Sequence, residues 1–298
     1  MAVVEIEPTT EQIQRGLAAT LAVTFYVDGV VADPGVTTVT VTRLDGTAIV
    51  TGAATGGSGA AARTYALAGQ ADLDILTVSW TSATHGAAQQ TVEIVGELLF
   101  TFRQARAFDG GALASTATYT TDAIGQARKA IAEEFEQVCG VSFVPRLTRE
   151  TIDGAGQDWV FISHLDAIDI RAVEMLDRGT GAWTAYTPAE LADVQILNNG
   201  RIRRRDGTAF VPGRQNVRVT YEHGYARPPA GIVEAALLYL RFRMVSSNLG
   251  SRTISASNEY GSEQYWTPGY SGRGSAINEL PFVDKVLRQY MQRRVVVG

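Results

Sequence analysis

The sequence predicts an α+β protein with two domains, and three observations lead to this prediction. A length of 298 residues is typical of two domains of about 100–200 residues each. Residues 1–96 carry nine acidic and three basic side chains, against 22 and 23 in the remainder, so the two parts differ in charge. Strand-like segments fill the first part, whereas helical periodicity appears only after it. We therefore place the domain boundary near Gly96.

Residues 1–96 are predicted to form an immunoglobulin-like antiparallel β-sandwich. They are rich in Thr, Val, Ala and Gly, and turn signals such as Asp28-Gly29 and Asp45-Gly46 separate short strands at the spacing of such a fold. Trp80 is expected to fill the core between the sheets. The candidate strands are Val3–Glu7, Leu21–Val27, Val36–Arg43, Thr47–Val50, Arg63–Leu67, Ile75–Thr81 and Thr91–Val95.

Residues 97–298 are predicted to combine three helices with β-structure. The helices are expected at about residues 121–139, 229–246 and 281–294, where apolar residues recur at helical spacing. Gly140 ends the first helix and Pro228-Pro229 begin the second. Alternating apolar residues and an Asn-Asn-Gly turn signal predict a β insertion at about residues 147–222. Residues 246–277 show neither period and are predicted to form a long extended arm.

The second helix is apolar nearly all round, and only Glu234, Arg241 and Arg243 interrupt it. Such a helix must be covered on more than one side. It is too short and too charged to cross a bilayer, which takes about 20 apolar residues, so no membrane contact is expected. We expect the helix to pack on its own domain on one side and on a neighbouring subunit or the returning arm on the other. Arg241 and Arg243 are then candidates for ion pairs between subunits.

Composition and motif spacing indicate a protein without catalytic chemistry. An apolar content of 45% and a charged content of 19% are typical of a soluble globular chain, and we expect no signal peptide because MAVVEIEPTT lacks a basic region followed by an apolar run. The single cysteine, Cys139, excludes an internal disulfide and a multi-cysteine metal site. The three histidines lie in separate segments without ligand spacing, and no Walker loop or nucleophile elbow is present. We expect no enzyme activity, no metal and no cofactor.

A basic cluster follows the predicted hairpin turn and is open to two interpretations. It comprises Arg201, Arg203, Arg204 and Arg205. The cluster could contact DNA phosphates or an acidic partner, or it could be a solvated or interface hairpin. We favour the second interpretation, because no aromatic residues are interleaved to stack on bases and the chain is acidic overall, with a net charge of −5.

The second part of the chain resembles the head-to-tail connector family of tailed bacteriophages, also called head completion or adaptor proteins. The resemblance covers roughly residues 97–298. It begins with a helix that ends in Cys-Gly and continues as Val-Ser-Phe-Val-Pro-Arg, at Ala127–Arg146. It continues through Val217–Gly224, a Tyr-Ala and Pro-Pro step and an Ala-Ala-Leu-Leu helix. The segment Ser255–Gly261 and the Thr267-Pro268-Gly269 step are similar to the versions found in phages of actinobacteria.

The resemblance implies a structural protein of the phage neck. Its fold would be a small helical bundle with an inserted β-hairpin or sheet. It would form a dodecameric ring that docks on the portal, extends the DNA channel and carries the next neck or tail-terminator protein. DNA would pass through the lumen without sequence-specific binding. The location would be the virion neck, after assembly in the host cytoplasm. Residues 1–96 depart from the compact family form and would be an added sandwich on the outside of the ring.

Candidate interface residues come from the apolar helix, the arm and the C-terminal helix, since aromatic residues and arginine are enriched at subunit contacts. They are Arg241, Arg243, Tyr260, Tyr265, Trp266, Tyr270, Phe282, Tyr290, Arg293 and Arg294. An alternative hypothesis is a surface- or carbohydrate-binding module built on the β-sandwich. It requires aromatic side chains exposed on one sheet face, and residues 1–96 offer only Phe25, Tyr26, Tyr65 and Trp80.

Overall fold

The computed structural model describes residues 4–8, 11–59, 62–197, 200–245, 255–258, 261–264 and 280–291. It confirms the α+β class. The helices are α1 (Phe102–Ala107), α2 (Thr121–Cys139), α3 (Pro188–Ala192), α4 (Ala230–Val245) and α5 (Pro281–Tyr290). No described helix combines the length and the apolar character that crossing a membrane requires.

The chain forms two compact units, and it crosses between them three times. Unit 1 comprises Met1–Glu97 and Val144–Ala226, and unit 2 comprises Leu98–Phe143 and Arg227–Gly298. The division into domains at residues 1–96 and 97–298 stays a prediction. The two compact units group the β insertion with the N-terminal part. Side chains of strand Arg146–Gly154 connect the insertion to the N-terminal part. Arg146 donates two hydrogen bonds to Glu93, at 2.6 and 2.9 Å, and Arg149 donates to the carbonyl of Leu44 at 2.8 Å.

The N-terminal part of unit 1 is a sandwich of two sheets. Its strands are β1 (Val4–Pro8), β2 (Gln12–Gln14), β3 (Ala19–Val27), β4 (Val30–Val31), β5 (Thr37–Thr42), β6 (Ala48–Ala54), β7 (Arg63–Leu67), β8 (Asp74–Ser82) and β9 (Gly86–Val95). In one sheet β1, β4 and β7 all pair with β3; the other has the order β2-β9-β8-β5-β6. Alternate residues of β3 and β8 point into one shared core, and Trp80 is completely buried there. Strands β2 and β4 are too short for the sequence to have predicted them.

The β insertion forms a second pair of sheets in unit 1. Its strands are β10 (Arg146–Gly154), β11 (Trp159–Phe161), β12 (Ala167–Leu176), β13 (Trp183–Ala185), β14 (Val194–Leu197), β15 (Arg201–Arg204) and β16 (Gly213–His223). One sheet has the order β10-β16-β12-β13 and the other β11-β15-β14. Val160, Ile202 and Val219 meet in the core that both sheets share. The insertion is therefore a small β domain rather than a single hairpin.

Unit 2 is a small helical bundle in which α4 packs against both α2 and α5. The Thr120 side chain caps α2 by accepting from the amide of Ala123 at 3.2 Å, and Gly140 ends the helix in the left-handed region, with φ of 71°. Helix α4 buries six side chains, from Ile232 to Leu240. Thus α2 and α4 lie within one residue of their predicted bounds.

The C-terminal elements differ from two predictions. Helix α5 ends at Tyr290 rather than at residue 294, because Met291 has an extended backbone. On this helix the candidate interface residue Phe282 is 43% exposed, while Val283 and Leu287 are fully buried. Within the predicted extended arm, strands β17 (Ser255–Asn258) and β18 (Gly261–Gln264) form an antiparallel pair.

Candidate interaction surfaces

The two arginines of α4 already have partners inside unit 2. Arg241 places Nε 2.6 Å from Oδ2 of Asp109. Arg243 pairs with Glu134 and lies 4.5 Å above the ring of Tyr239, whose hydroxyl donates to the same carboxylate at 2.9 Å. Both guanidinium groups are thus held within their own unit, and a role in ion pairs between subunits stays a prediction.

The remaining predicted interface residues divide into two groups. Tyr290 packs inside unit 2, edge-on to Phe143 with ring centroids 5.5 Å apart, whereas Phe282 is exposed. The others lie outside the described residues, so their interface role also stays a prediction. They are Tyr260, Tyr265, Trp266, Tyr270, Arg293 and Arg294.

Three arginines of the cluster lie on the two faces of β15, and the exposed Arg205 follows the strand in a turn. Arg204 shares the inner face with Ile202 and is nearly buried. Its guanidinium lies 2.6 Å from Asp206 and donates to the Tyr186 hydroxyl at 2.9 Å. The hydrogen bond from Arg204 holds the pKa of the Asp206 carboxyl well below its usual range. Arg204 is therefore a neutralised structural residue.

Arg201 and Arg203 lie on the outer face of β15, opposite two aromatic residues of β11. Trp159 pairs with Arg203, and Phe161 pairs with Arg201. The guanidinium of Arg201 lies 4.8 Å from the ring centroid of Trp159 and 5.4 Å from that of Phe161. No aromatic residue is interleaved with the cluster in the sequence, but two lie beside it in the structure. They come from a strand some 40 residues earlier in the chain, which pairs with β15.

We call Trp159, Phe161, Arg201 and Arg203 the aromatic–arginine face. Phe161 is 52% exposed, so the face is open to solvent in the described structure. Arg203 is paired with Asp158 at 2.6 Å. Arg201 forms no ion pair with any described residue, and its Nε is buried without a hydrogen-bond acceptor. The face thus combines exposed apolar area with one uncompensated cation.

A second exposed surface lies at a loop end of the N-terminal sandwich, and we call Asp28–Val36 the acidic valine loop. Val30 is 69% and Val36 78% exposed, with Val31 beside them. Asp28 and Gly29 form the β3–β4 turn with φ of 50° and 78°, which suits these two residue types. The side chain of Asp33 accepts from the amide of Gly35 and from the buried Arg63, at 2.9 and 2.8 Å. The loop is therefore held in one conformation while its valines face solvent.

Two histidines that are 59 positions apart come together in the β insertion. The rings of His164 and His223 are stacked with centroids 3.7 Å apart. His164 Nδ1 lies 2.7 Å from the Tyr221 hydroxyl, which donates to Glu150 at 2.9 Å, and His223 Nε2 lies 2.9 Å from the hydroxyl of Thr148. Burial, reinforced by the nearby His164 and Arg146, lowers the pKa of His223 to about 3. No local pattern in the sequence indicates this pair.

The histidine pair is a poor site for a metal ion. Its ring nitrogens come within 4.8 Å of each other. The lone pair of an imidazole nitrogen lies in the ring plane, and these two planes are only 22° apart. Their lone pairs therefore run nearly side by side instead of converging on one ion at the usual distance of about 2 Å. A stacked and hydrogen-bonded core pair fits the geometry better.

The described part of the N-terminal sandwich offers no aromatic platform for a carbohydrate. Phe25 and Trp80 are buried in its core, Tyr65 packs against that core, and Tyr26 is half-buried. Sugar-binding surfaces need ring faces that are open to solvent, so this geometry gives the carbohydrate hypothesis no support.

The sequence matches no protein-family model and no curated protein. Among solved structures, a chain in the neck of an empty gene transfer agent (GTA) particle, computed with C6 symmetry, is 16% identical. That likeness covers 66% of this chain and 89% of the other, with a TM-score of 0.43. For a neck chain of the native GTA particle, computed with C12 symmetry, the values are 17% identity, 64% and 95% coverage, and a TM-score of 0.42.

A conjugative transposon lipoprotein from Bacteroides eggerthii DSM 20697 is also similar, at 11% identity over 30% of this chain and 93% of its own, with a TM-score of 0.20. All three TM-scores are below 0.5. Likenesses at this level establish neither a family nor a shared function for this chain.

Proposed function

We propose that this chain is a structural protein of the neck of a tailed bacteriophage or phage-like particle. In this role it forms a ring adaptor that docks on the portal, extends the DNA channel and carries the next neck or tail protein. The observation that carries the proposal is the position of the β domain, which is inserted into the helical unit between α2 and α4. A helical bundle with an inserted sheet is the architecture that the sequence resemblance implies.

The two most distinctive motifs of the resemblance lie where the chain passes between the units. The Val-Ser-Phe-Val-Pro-Arg step spans the crossing from unit 2 to unit 1, between Phe143 and Val144, and both of these side chains are buried. The Gly-Tyr…Pro-Pro step spans the return at Ala226–Arg227. There the carbonyl of Pro229 accepts from the amides of Ile232 and Val233, which begins α4. These motifs therefore specify where the insertion starts and ends.

A ring role also agrees with the chemistry of the surface. A ring subunit needs two different surfaces that recognise each other, because head-to-tail contacts close into a ring. Unit 1 carries two exposed surfaces of opposite charge that both include large apolar side chains. We propose twelve subunits, a virion location and passage of DNA without sequence readout on the basis of the resemblance.

A reconstruction of the neck from assembled particles tests the proposal directly. We expect density for this chain in a ring between portal and tail, and we expect particles that lack the chain to accumulate filled heads without tails. Trp266→Ala is expected to weaken incorporation into the ring while leaving the melting temperature of the isolated protein unchanged. A neck reconstruction without density for this chain would refute the proposed function.

A further inference from the structure

We infer that the acidic valine loop of one copy docks on the aromatic–arginine face of the next copy. This inference rests on the proposed ring, and it names the two surfaces through which neighbouring copies meet. It assigns Phe161 and Arg201 on one side, and Asp28, Val30 and Val36 on the other.

The first argument is the exposure of large apolar side chains on both surfaces. Phe161 is 52% exposed, and Val30 and Val36 are 69% and 78% exposed. The described residues of the same chain leave these side chains open to solvent. Clustered exposed apolar residues mark interaction sites, and each surface would remove the apolar area of the other from water.

The second argument is charge complementarity within the chain itself. Among described residues up to Glu97, the exposed carboxylates are Glu5, Asp28, Asp33, Asp45 and Asp72, whereas Arg15 is the exposed arginine. The buried Arg63 is paired with Asp33 at 2.8 Å, and Arg43 is paired with Asp74 at 2.9 Å, which leaves Glu5, Asp28, Asp45 and Asp72 against Arg15. The sandwich surface is therefore acidic, and the uncompensated Arg201 on the opposing face is the cation that an incoming carboxylate would meet.

The third argument concerns the class of partner. A nucleic acid would need several free cations, but Arg203 and Arg204 are neutralised by Asp158 and Asp206. In addition, the guanidinium of Arg201 already covers the aromatic rings on which a base would stack. Tryptophan, phenylalanine and arginine packed together are instead typical of the energetic centre of a protein interface.

The acidic valine loop and the aromatic–arginine face also have the geometry of a head-to-tail contact. The loop and the face are different surfaces, so pairing them joins copies head to tail and leaves each copy with one surface of each kind. Such a contact propagates until the ring closes. A contact of one surface with itself would stop at a dimer and would place Arg201 against Arg201.

Photo-cross-linking from the face tests the inference. We would introduce Phe161→p-benzoylphenylalanine into the full chain and irradiate both the concentrated pure protein and assembled neck particles. We expect a cross-linked dimer whose linked peptide contains residues 28–36 of a second copy. The same probe at Val211, which is 59% exposed in the same unit, is the matched control and should not give this link.

A charge exchange in the probe-bearing chain supplies a second measurement. Arg201→Glu and Val30→Lys should each reduce the yield of the cross-linked dimer about tenfold or more, and the double variant should restore most of it. Arg214→Glu makes the same charge change at an exposed arginine of unit 1 and should leave the yield unchanged. A double variant that remains as weak as the single variants would count against this contact.

The outcomes separate the inference from the proposed function. A link to residues 28–36 in the pure protein, with no such chain in neck particles, would keep the contact and remove the neck role. A neck ring in which position 161 links to DNA, to another protein or to a different segment would overturn the inference and leave the neck role intact. Absence of the link from both samples would also overturn it.

Discussion

Acid should destabilise unit 1 through one buried histidine. His223 lies at the end of β16, is 1% exposed, and stacks on His164. Burial is the main reason that its pKa falls to about 3, and the neighbouring charges of His164 and Arg146 lower the pKa further. In the folded protein the ring therefore stays neutral at pH values where an unfolded histidine is protonated.

The sign and size of the effect follow from proton linkage. An unfolded histidine has a pKa near 6.5, so between about pH 6.5 and pH 3 the unfolded chain binds a proton that the folded chain does not. The free energy of unfolding is therefore lost as pH falls through this window, by up to about 1.4 kcal/mol per pH unit. From pH 6 to pH 4 the expected loss from His223 alone is about 2–3 kcal/mol. Above about pH 6.5 this group contributes no pH dependence.

Guanidinium unfolding at pH 7, 6, 5 and 4 and constant ionic strength measures this loss. Tryptophan fluorescence reports mainly on unit 1, because Trp80, Trp159 and Trp183 all lie in it and the chain has four tryptophans. His223→Gln is the matched control, because its amide can still bond to Thr148 but cannot titrate. Carboxylates that titrate at low pH do so in both proteins. The difference between the two proteins in the slope of unfolding free energy against pH therefore isolates the contribution of His223.

We expect the wild-type protein to lose about 2–3 kcal/mol more than His223→Gln between pH 6 and pH 4. The variant will be less stable at pH 7, since it loses the stacked ring, but its curve should be flatter. Equal losses in the two proteins would refute the reasoning, because they would show that the ring gains its proton without unfolding.

Three further predictions concern packing. Phe135 is fully buried and stacked on Tyr239 with centroids 6.1 Å apart, so Phe135→Ala should cost about 3–5 kcal/mol in denaturant unfolding followed by circular dichroism. On α5, Leu287→Ala should lower the free energy of unfolding by about 2–5 kcal/mol, because Leu287 is fully buried. Phe282→Ser should change it by no more than about 0.5 kcal/mol, because Phe282 is exposed. Similar melting temperatures for the two variants would contradict the assigned faces. Gly200→Ala should cost more than about 1 kcal/mol in the same assay, because φ is +69° and the added Cβ would lie 2.9 Å from the Ile162 carbonyl oxygen; an unchanged midpoint would contradict this strain.

Helix bounds could be predicted from sequence because the signals that set them are local. Thr120 and Gly140 lie at the two ends of α2, and Pro228-Pro229 precede α4, so each boundary is specified within a few residues of itself. Strands of the sandwich could be predicted for the same reason. The alternation of buried and exposed residues in β8 can be read from that strand alone, without knowing which strands pair with it.

Contacts between distant strands could not be predicted in this way. Arg128 lies four residues after Ile124 and three before Ile131, so helical periodicity assigns it to the buried face of α2, and the structure buries it there. Its guanidinium donates to the carbonyl of Phe100 at 3.1 Å and lies 4.7 Å above the ring of Phe102, and burial lowers its pKa to about 10. The helix sequence therefore indicates that Arg128 is buried, but it does not specify that Phe100 and Phe102 of the connecting segment cover it. The stacked histidines depend in the same way on the register of separate strands.

The arginine cluster shows where sequence reasoning could have gone further. In β15 the apolar Ile202 marks the inner face, so strand alternation assigns Arg204 to that face and Arg201 and Arg203 to the other. Buried charges are typically paired, and Asp206, two positions along, is the partner of Arg204 in the structure. Counting charges treats the hairpin as four equivalent cations, whereas alternation predicts that one of them is neutralised. A second arginine, Arg203, is neutralised by Asp158. The pairing of β11 with β15 brings Asp158 beside it, and the sequence does not show that pairing. A partner therefore meets Arg201 beside two aromatic rings, with Arg205 beyond it, which suits a carboxylate on an apolar protein surface far better than it suits a phosphate backbone.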